Sequence, residues 1–269
     1  MSASGSRRKR EIIFCHRVEN VEAFVNISLG LRRYVCGCIF LGVTMKNPFK
    51  DLTKFELFLW LFSLLLVSGG FLLAPEKDYL TLVASLIGAT ALIFVSKGYV
   101  LGQILTLVFA LFYGIVSFFF HYYGEMITYL CMTAPIALAS TISWLKHPYK
   151  RTKEVTVARI TGKQVLILAI LTVAVTAAFY FILRALGNAN LIVSTLSVAT
   201  SFVASSLTLL RSPYYAIGYA ANDVVLIILW VLASIQNPAY IPMILCFVVF
   251  LLNDLYGFIN WKRIQKRQN

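Results

Sequence analysis

The stretch FVVFLLNDLYGFINWKRI, residues 247–264, begins as hydrocarbon-grade sequence and then sets Asn253, Asp254, Tyr256, Asn260 and Trp261 into one helical run. Carboxylates and carboxamides are costly in lipid, so these groups must face protein, water or a solute. Asn253, Tyr256 and Asn260 share a helix face with Gly257, and Asp254 and Trp261 sit together on an adjacent one. The stretch SPYYAIGYAANDVVLIILW, residues 212–230, carries a second stripe of Tyr215, Tyr219, Asn222 and Trp230, with Asp223 at its border. A third runs through Tyr99, Gln103, Thr106 and Tyr113. Carboxamides and tyrosine hydroxyls suit sugar hydroxyls and amides. Aromatic faces suit a flat ring, above all a cationic one. A buried acid can balance one positive charge. No Lys or Arg lies within the stripes, which disfavours a phosphorylated solute. The plainer alternative is polar glue between helices. Trp144, Trp261 and Tyr149 at span ends also fit an interfacial aromatic belt.

These residues must be held by a membrane scaffold. Of 269 residues, 59% are hydrophobic and 13% charged, about half the charged fraction of a soluble domain. Mean hydropathy is +0.80. The apolar runs have helical length, unlike the short alternating strands of an outer-membrane barrel. The fold class is therefore an all-α polytopic membrane protein. Eight spans are expected near 55–73, 79–96, 98–120, 125–145, 163–186, 190–210, 214–235 and 239–261.

The net charge of +13 marks topology rather than nucleic-acid binding. With the N-terminus in the cytoplasm, 22 of the 24 Lys and Arg residues fall inside and only Lys77 and Arg184 outside. That asymmetry places both termini in the cytoplasm and the protein in a plasma membrane, the inner one of a bacterium. Residues 1–54 read as a cytoplasmic extension. The apolar run Tyr34–Met45 is too short to span. Met45 followed by KNPFKDLTKFELFLW resembles a natural start, so residues 1–44 are expected to be a mobile extension or an upstream start-site artefact. The basic segment 146–162 and the tail 262–269 are the other cytoplasmic pieces.

The five cysteines and three histidines form no metal-ligand spacing, and no cofactor is expected. No Ser/His or His/Glu pair sits at helical spacing within a span, and His121 and His147 fall at span ends. A membrane enzyme is thus disfavoured. Asp223 and Asp254 are the acids expected near a site, with no counterpart in the first half.

Internal similarity organises the chain. Sliding by 116 lays Tyr99-Val-Leu-Gly102 on Tyr215-Ala-Ile-Gly218, Gln103 on Tyr219 and Thr106 on Asn222. Sliding by 117 lays Ser143-Trp144 on Asn260-Trp261. Two triple-helix repeats of the same orientation, 79–145 and 190–261, would then be joined by a linker helix at 163–186 and preceded by an extra helix at 55–73. This 3+1+3 plan is a parallel repeat, with a solute site near the midplane between the halves.

The plan, the ending NDLYGFINWKR at 253–263 and the stripe at 215–230 resemble the Pnu vitamin transporters, specifically the PnuC nicotinamide riboside group, over about residues 50–265. The family shares its architecture with the SWEET sugar transporters. The resemblance implies facilitated diffusion by alternating access, a homotrimer and trapping of the solute by a cytosolic riboside kinase. Where the family often has Trp-x-x-Trp, this chain has Ala216 and Tyr219. The candidate solute-binding residues are Gln103, Thr106, Tyr215, Tyr219, Asn222, Asp223, Asn253 and Tyr256. The ring is expected on Tyr219, helped by Tyr215 or Trp230. Gln103, Asn222 and Asn253 would bond ribose and carboxamide, and Asp223 or Asp254 would supply negative potential. Another vitamin, a nucleoside or a sugar on the same scaffold is the alternative, and a non-transporting scaffold or receptor a more distant one.

Overall fold

The structure, a computed structural model, describes residues 47–73, 79–119, 123–150, 152–188, 190–236 and 241–269. The readings for residues 1–46 and for the turns at 74–78 and 237–240 lie outside the described residues. The chain divides into two units, Met1–Leu52 and Thr53–Asn269. The first contributes a short 3-10 turn, Pro48–Asp51, whose first amide is capped by Asn47.

The second unit is helical: α1 (Lys54–Leu73), α2 (Tyr79–Ser96), α3 (Val100–Phe119), α4 (Tyr123–Ile127), a π-helical segment (Thr128–Thr133), α5 (Ala134–Lys146), α6 (Gly162–Ala185), α7 (Leu191–Leu209), α8 (Tyr215–Gln236) and α9 (Ile241–Gln268). Among the described residues seven helices are long and apolar enough to cross a membrane, α4 to α5 counting as one, and Val100–Ile115 of α3 is a shorter apolar helix. The protein is a multi-pass membrane protein.

Local chemistry sets several boundaries. Thr161 and Gln164 form a reciprocal capping box that starts α6. Pro135 has no amide hydrogen to return to the preceding turn, and the π segment lies directly before α5, where Pro135 occupies the first turn. α2 ends with Gly98 at φ +69° and α7 with Arg211 at φ +58°. Each of these residues, with its successor, donates back to the last carbonyls of its helix. The last helix does not stop near 261 as the hydropathy implies but continues to Gln268. Its basic last turn suits the helix C-terminus.

The helices pack in two matching sets: α2 on α3 and α3 on α5, then α7 on α8 and α8 on α9. Two crossings join the sets, α9 on α2 and α5 on α7. The bonds at these crossings correspond. Trp144 Nε1 donates to Thr208 O at 3.0 Å and Trp261 Nε1 to Val95 O at 2.9 Å. Ser143 Oγ reaches Leu209 O at 3.3 Å and Asn260 Nδ2 reaches Ser96 O at 2.9 Å. The two indoles meet with centroids 5.4 Å apart. Both tryptophans are fully buried, so the reading of them as lipid-interface belt residues is corrected. Gly102 is needed where α3 passes α2, since a Cβ there would lie 2.3 Å from Val95 N.

α6 packs on α7 and turns most of its surface outward. α1 packs on α2 and α9. Residues 147–150 and 152–161 form a strap across the end of the bundle that carries Lys97, Lys146, Arg211 and Lys262, here called the basic end. Val155 N donates to Gly98 O at 2.9 Å and Ala158 N to Arg211 O at 3.0 Å, so the strap touches the turn after α2 and the turn after α7. Gln268 of α9 accepts from Val157 N and donates to Val155 O.

Candidate functional site

A cavity of about 140 Å³ lies between the two sets of helices. That is room for roughly ten water molecules, enough for a nucleoside-sized solute. α2, α3, α4 and the π segment contribute from one side and α7, α8 and α9 from the other, and α6 adds only Leu183.

The α3 wall presents Gln103, Thr106, Phe109 and Tyr113. The opposing α8 wall presents Tyr215, Tyr219, Asn222 and Asp223. Asn222 is 5% exposed, and its Oδ1 accepts from Ser197 Oγ at 3.1 Å and Thr200 Oγ1 at 2.9 Å. With that oxygen held by α7, the amide N–H groups are what Asn222 offers to the cavity. The Tyr219 hydroxyl is held by Ser205 Oγ at 3.0 Å. Tyr215 stands edge-on to Tyr219 and packs against Trp261 at the basic end.

The other end of the cavity is an aromatic group. Tyr113 and Tyr129 have centroids 4.7 Å apart, and Phe109 stands edge-on to Tyr129 and Phe250. The Tyr113 hydroxyl donates to Glu125 Oε2 at 3.0 Å. Asp254 enters from α9, 3% exposed, and borders the cavity beside the α8 wall.

Six of the eight candidate residues therefore border the cavity: Gln103, Thr106, Tyr215, Tyr219, Asn222 and Asp223. Asn253 and Tyr256 do not. Asn253 Nδ2 donates to Ser63 Oγ at 2.9 Å and Tyr256 OH to Glu56 Oε1 at 2.9 Å, so both look toward α1. The expectation for this helix is corrected: Asp254, one residue on, is the α9 side chain that meets the cavity. Trp230 is packed in an apolar cluster with Phe247 and Phe250 and does not border the cavity. Tyr99 pairs with Glu154 of the strap instead.

Sequence reasoning missed Glu125, which supplies an acid from the first half where none was expected. It also missed Thr128, Tyr129 and Thr133 on the π segment, and Ser194, Ser197, Ser201 and Ser205 on α7. The serines recur at spacings of three and four, a legible helical stripe. The π segment leaves no comparable signal beyond Pro135.

The profile of the family described as nicotinamide mononucleotide transporter matches residues 78–263. The chain belongs to this family. It is a membrane transporter and not an enzyme. It is 30% identical over 229 residues to a nicotinamide riboside transporter PnuC of Neisseria mucosa, covering 83% of this chain and 87% of the relative. It is 25% identical over 232 residues to that of Haemophilus influenzae, covering 85% and 99%. The crystal structure of the vitamin B3 transporter PnuC superposes with a TM-score of 0.70 at 29% identity, over 81% of this chain and 95% of that one. The match spans every helix that lines the cavity.

Proposed function

We propose that the protein imports nicotinamide riboside, a vitamin B3 form and NAD precursor, by facilitated diffusion. One observation carries the choice of solute. Among the described residues the cavity is bordered by three carboxyl groups, Glu125, Asp223 and Asp254, and by no Lys or Arg. Such a lining repels the phosphate of a mononucleotide and attracts a cationic pyridinium ring. The relatives named for the riboside agree with it. Tyr219 and the aromatic group around Tyr129 offer ring faces, while Gln103, Thr106 and Asn222 offer bonds to ribose and carboxamide.

In this reading the two packed sets are parallel triple-helix repeats in a 3+1+3 arrangement, α6 is the linker and α1 the extra helix. The corresponding Trp144 and Trp261 bonds support the pairing. The basic end faces the cytoplasm of a bacterium, with both termini inside, and the repeats rock about the cavity to give alternating access. No ion gradient drives the step. A cytosolic kinase traps the riboside by phosphorylation, and the protein assembles as a homotrimer.

The test is uptake of radiolabelled nicotinamide riboside into proteoliposomes without an imposed gradient. Saturable equilibration in empty vesicles is expected, with accumulation only when riboside kinase and ATP are enclosed. A folded preparation that takes up no riboside above protein-free vesicles rejects the solute. Competition by thiamine, riboflavin, nucleosides and sugars then identifies another member of the same class.

A further inference from the structure

We propose that Ser201 on α7 and Asn222 on α8 together read the vicinal hydroxyls of the sugar, so that Ser201 selects ribosides over solutes whose sugar lacks one of them. The inference rests on the reading of the solute as a riboside, and deepens it by naming the residue that senses its hydroxyl groups.

α7 turns four serines toward the cavity, Ser194, Ser197, Ser201 and Ser205. Three are engaged by the protein. Ser194 Oγ accepts from Asn188 Nδ2 at 2.8 Å, Ser197 Oγ donates to Asn222 Oδ1 at 3.1 Å, and Ser205 Oγ bonds the Tyr219 hydroxyl at 3.0 Å. Ser201 alone of the four has no hydrogen bond to a described residue. Nor does it turn back on its own helix, as the hydroxyls of Thr195, Thr200 and Thr208 do on the carbonyls of Leu191, Leu196 and Ala204. Its hydroxyl is left to whatever fills the cavity.

The neighbours of Ser201 favour a hydroxylated solute. One turn before it, Ser197 and Thr200 hold Asn222, and one turn after it Ser205 holds Tyr219. Ser201 thus lies between the anchors of two α8 side chains, about 6 Å along the axis from Ser197 and from Ser205. Asn222 has its oxygen occupied and offers only N–H donors. A sugar hydroxyl that accepts from Asn222 must give its own proton to an acceptor. Ser201 Oγ supplies that acceptor and can donate its own proton to the adjacent hydroxyl. A vicinal diol uses both capacities at once. A deoxygenated sugar leaves a donor or an acceptor of the wall unmatched. A second observation points to a polar ligand. Across the cavity Gln103 is 2% exposed, and its carboxamide has no hydrogen bond to a described residue. Buried carboxamides are normally satisfied, so this one is open to a solute.

The probes are nicotinamide riboside and its 2′-deoxy and 3′-deoxy analogues, which share the ring and its charge. Affinity is measured by calorimetry on the purified full chain, with competition for uptake in proteoliposomes as a second readout. The wild-type protein is expected to favour the riboside over at least one deoxy analogue by about tenfold. In Ser201→Ala that preference should fall to about twofold or less, while the affinity for the deoxy analogue itself stays near the wild-type value, since the contact it lacks is the one removed. Ser201→Cys, close in size and a poor hydrogen-bonding group, carries the same test if the alanine variant loses its cooperative melt. Equal wild-type affinities for all three compounds would overturn the inference and leave the riboside reading standing. A preference undiminished in the variants would also overturn it, by placing the diol elsewhere. An equal loss for all three compounds would overturn it too, by making Ser201 structural. Binding of none of the three to the folded wild-type protein would overturn the riboside reading, and this inference with it.

Discussion

Two indole N–H groups carry much of the contact between the halves. Trp144 and Trp261 each donate to a carbonyl at the end of the other half's first helix, at 3.0 and 2.9 Å. In Trp144→Phe and Trp261→Phe the ring is largely kept and the donor lost, leaving Thr208 O and Val95 O with the turn amides of Arg211 and Gly98. Each should cost ~0.5–1.5 kcal/mol in thermal or denaturant melting, the net worth of one neutral hydrogen bond, and the two losses should be similar. At the site itself, Gln103→Ala and Asn222→Ala should each weaken riboside uptake by at least about tenfold, ~1.4 kcal/mol, with expression and melting retained. Unchanged uptake in both variants would remove the two walls from the solute path. Successive residues on a helix point about 100° apart, so the adjacent faces of Asn253 and of Asp254 were legible while the one that meets the cavity was not. That choice is made by α1: Ser63 and Glu56 are the polar groups waiting for Asn253 and Tyr256. Nothing local to residues 253–256 reports what lies 190 positions away.

Among the helices, α1 is tied in by polar contacts unusual for lipid-facing sequence. The Glu56 carboxylate accepts from Lys97 Nζ at 2.9 and 3.0 Å, from Thr53 N and from Tyr256 OH. The side chains of Lys97 and Glu56 are 11% and 2% exposed. Removing one partner strands the other's charge, so Glu56→Leu and Lys97→Met should each cost ~3–5 kcal/mol. The double variant should cost less than the two together, and a double-mutant cycle on detergent-solubilised protein measures the difference. Element type was legible because apolar length dictates it in a membrane, whereas of the eight spans expected α3 has only a shorter apolar stretch, Val100–Ile115. The π segment was not legible, since it depends on how Pro135 and its neighbours settle between α3 and α7. The serine stripe of α7 was readable but gave a weak cue. A serine in a helix can satisfy itself on its own backbone, so its presence does not demand a polar neighbour.

For the molecule as a whole, the strap is the piece whose bonds reach both halves and the last helix. Gln268→Ala removes its two bonds to Val157 N and Val155 O. Amide exchange across residues 155–158 should then accelerate by about 10–100-fold, the equivalent of one or two neutral hydrogen bonds, while exchange in the helix cores stays unchanged. The strap's basic composition was readable, but its path was not, because its partners are carbonyls of distant turns and carry no sequence signature. The crossed tryptophan bonds have a wider consequence. What α5 does to the end of α7, α9 does to the end of α2. A contact with that reciprocity is isologous, the form that two identical subunits make about a two-fold axis. In the proposed parallel-repeat reading a single triplet carries both faces of its own interface, and two separate copies of it would close the same cavity. On that reading, the part a one-chain version must add is a return crossing, so that the second triplet enters in the same direction as the first. α6 fits that part: it borders the cavity through Leu183 alone and leaves most of its surface to the surroundings. On that reading it is a tether for an assembly whose chemistry is complete without it.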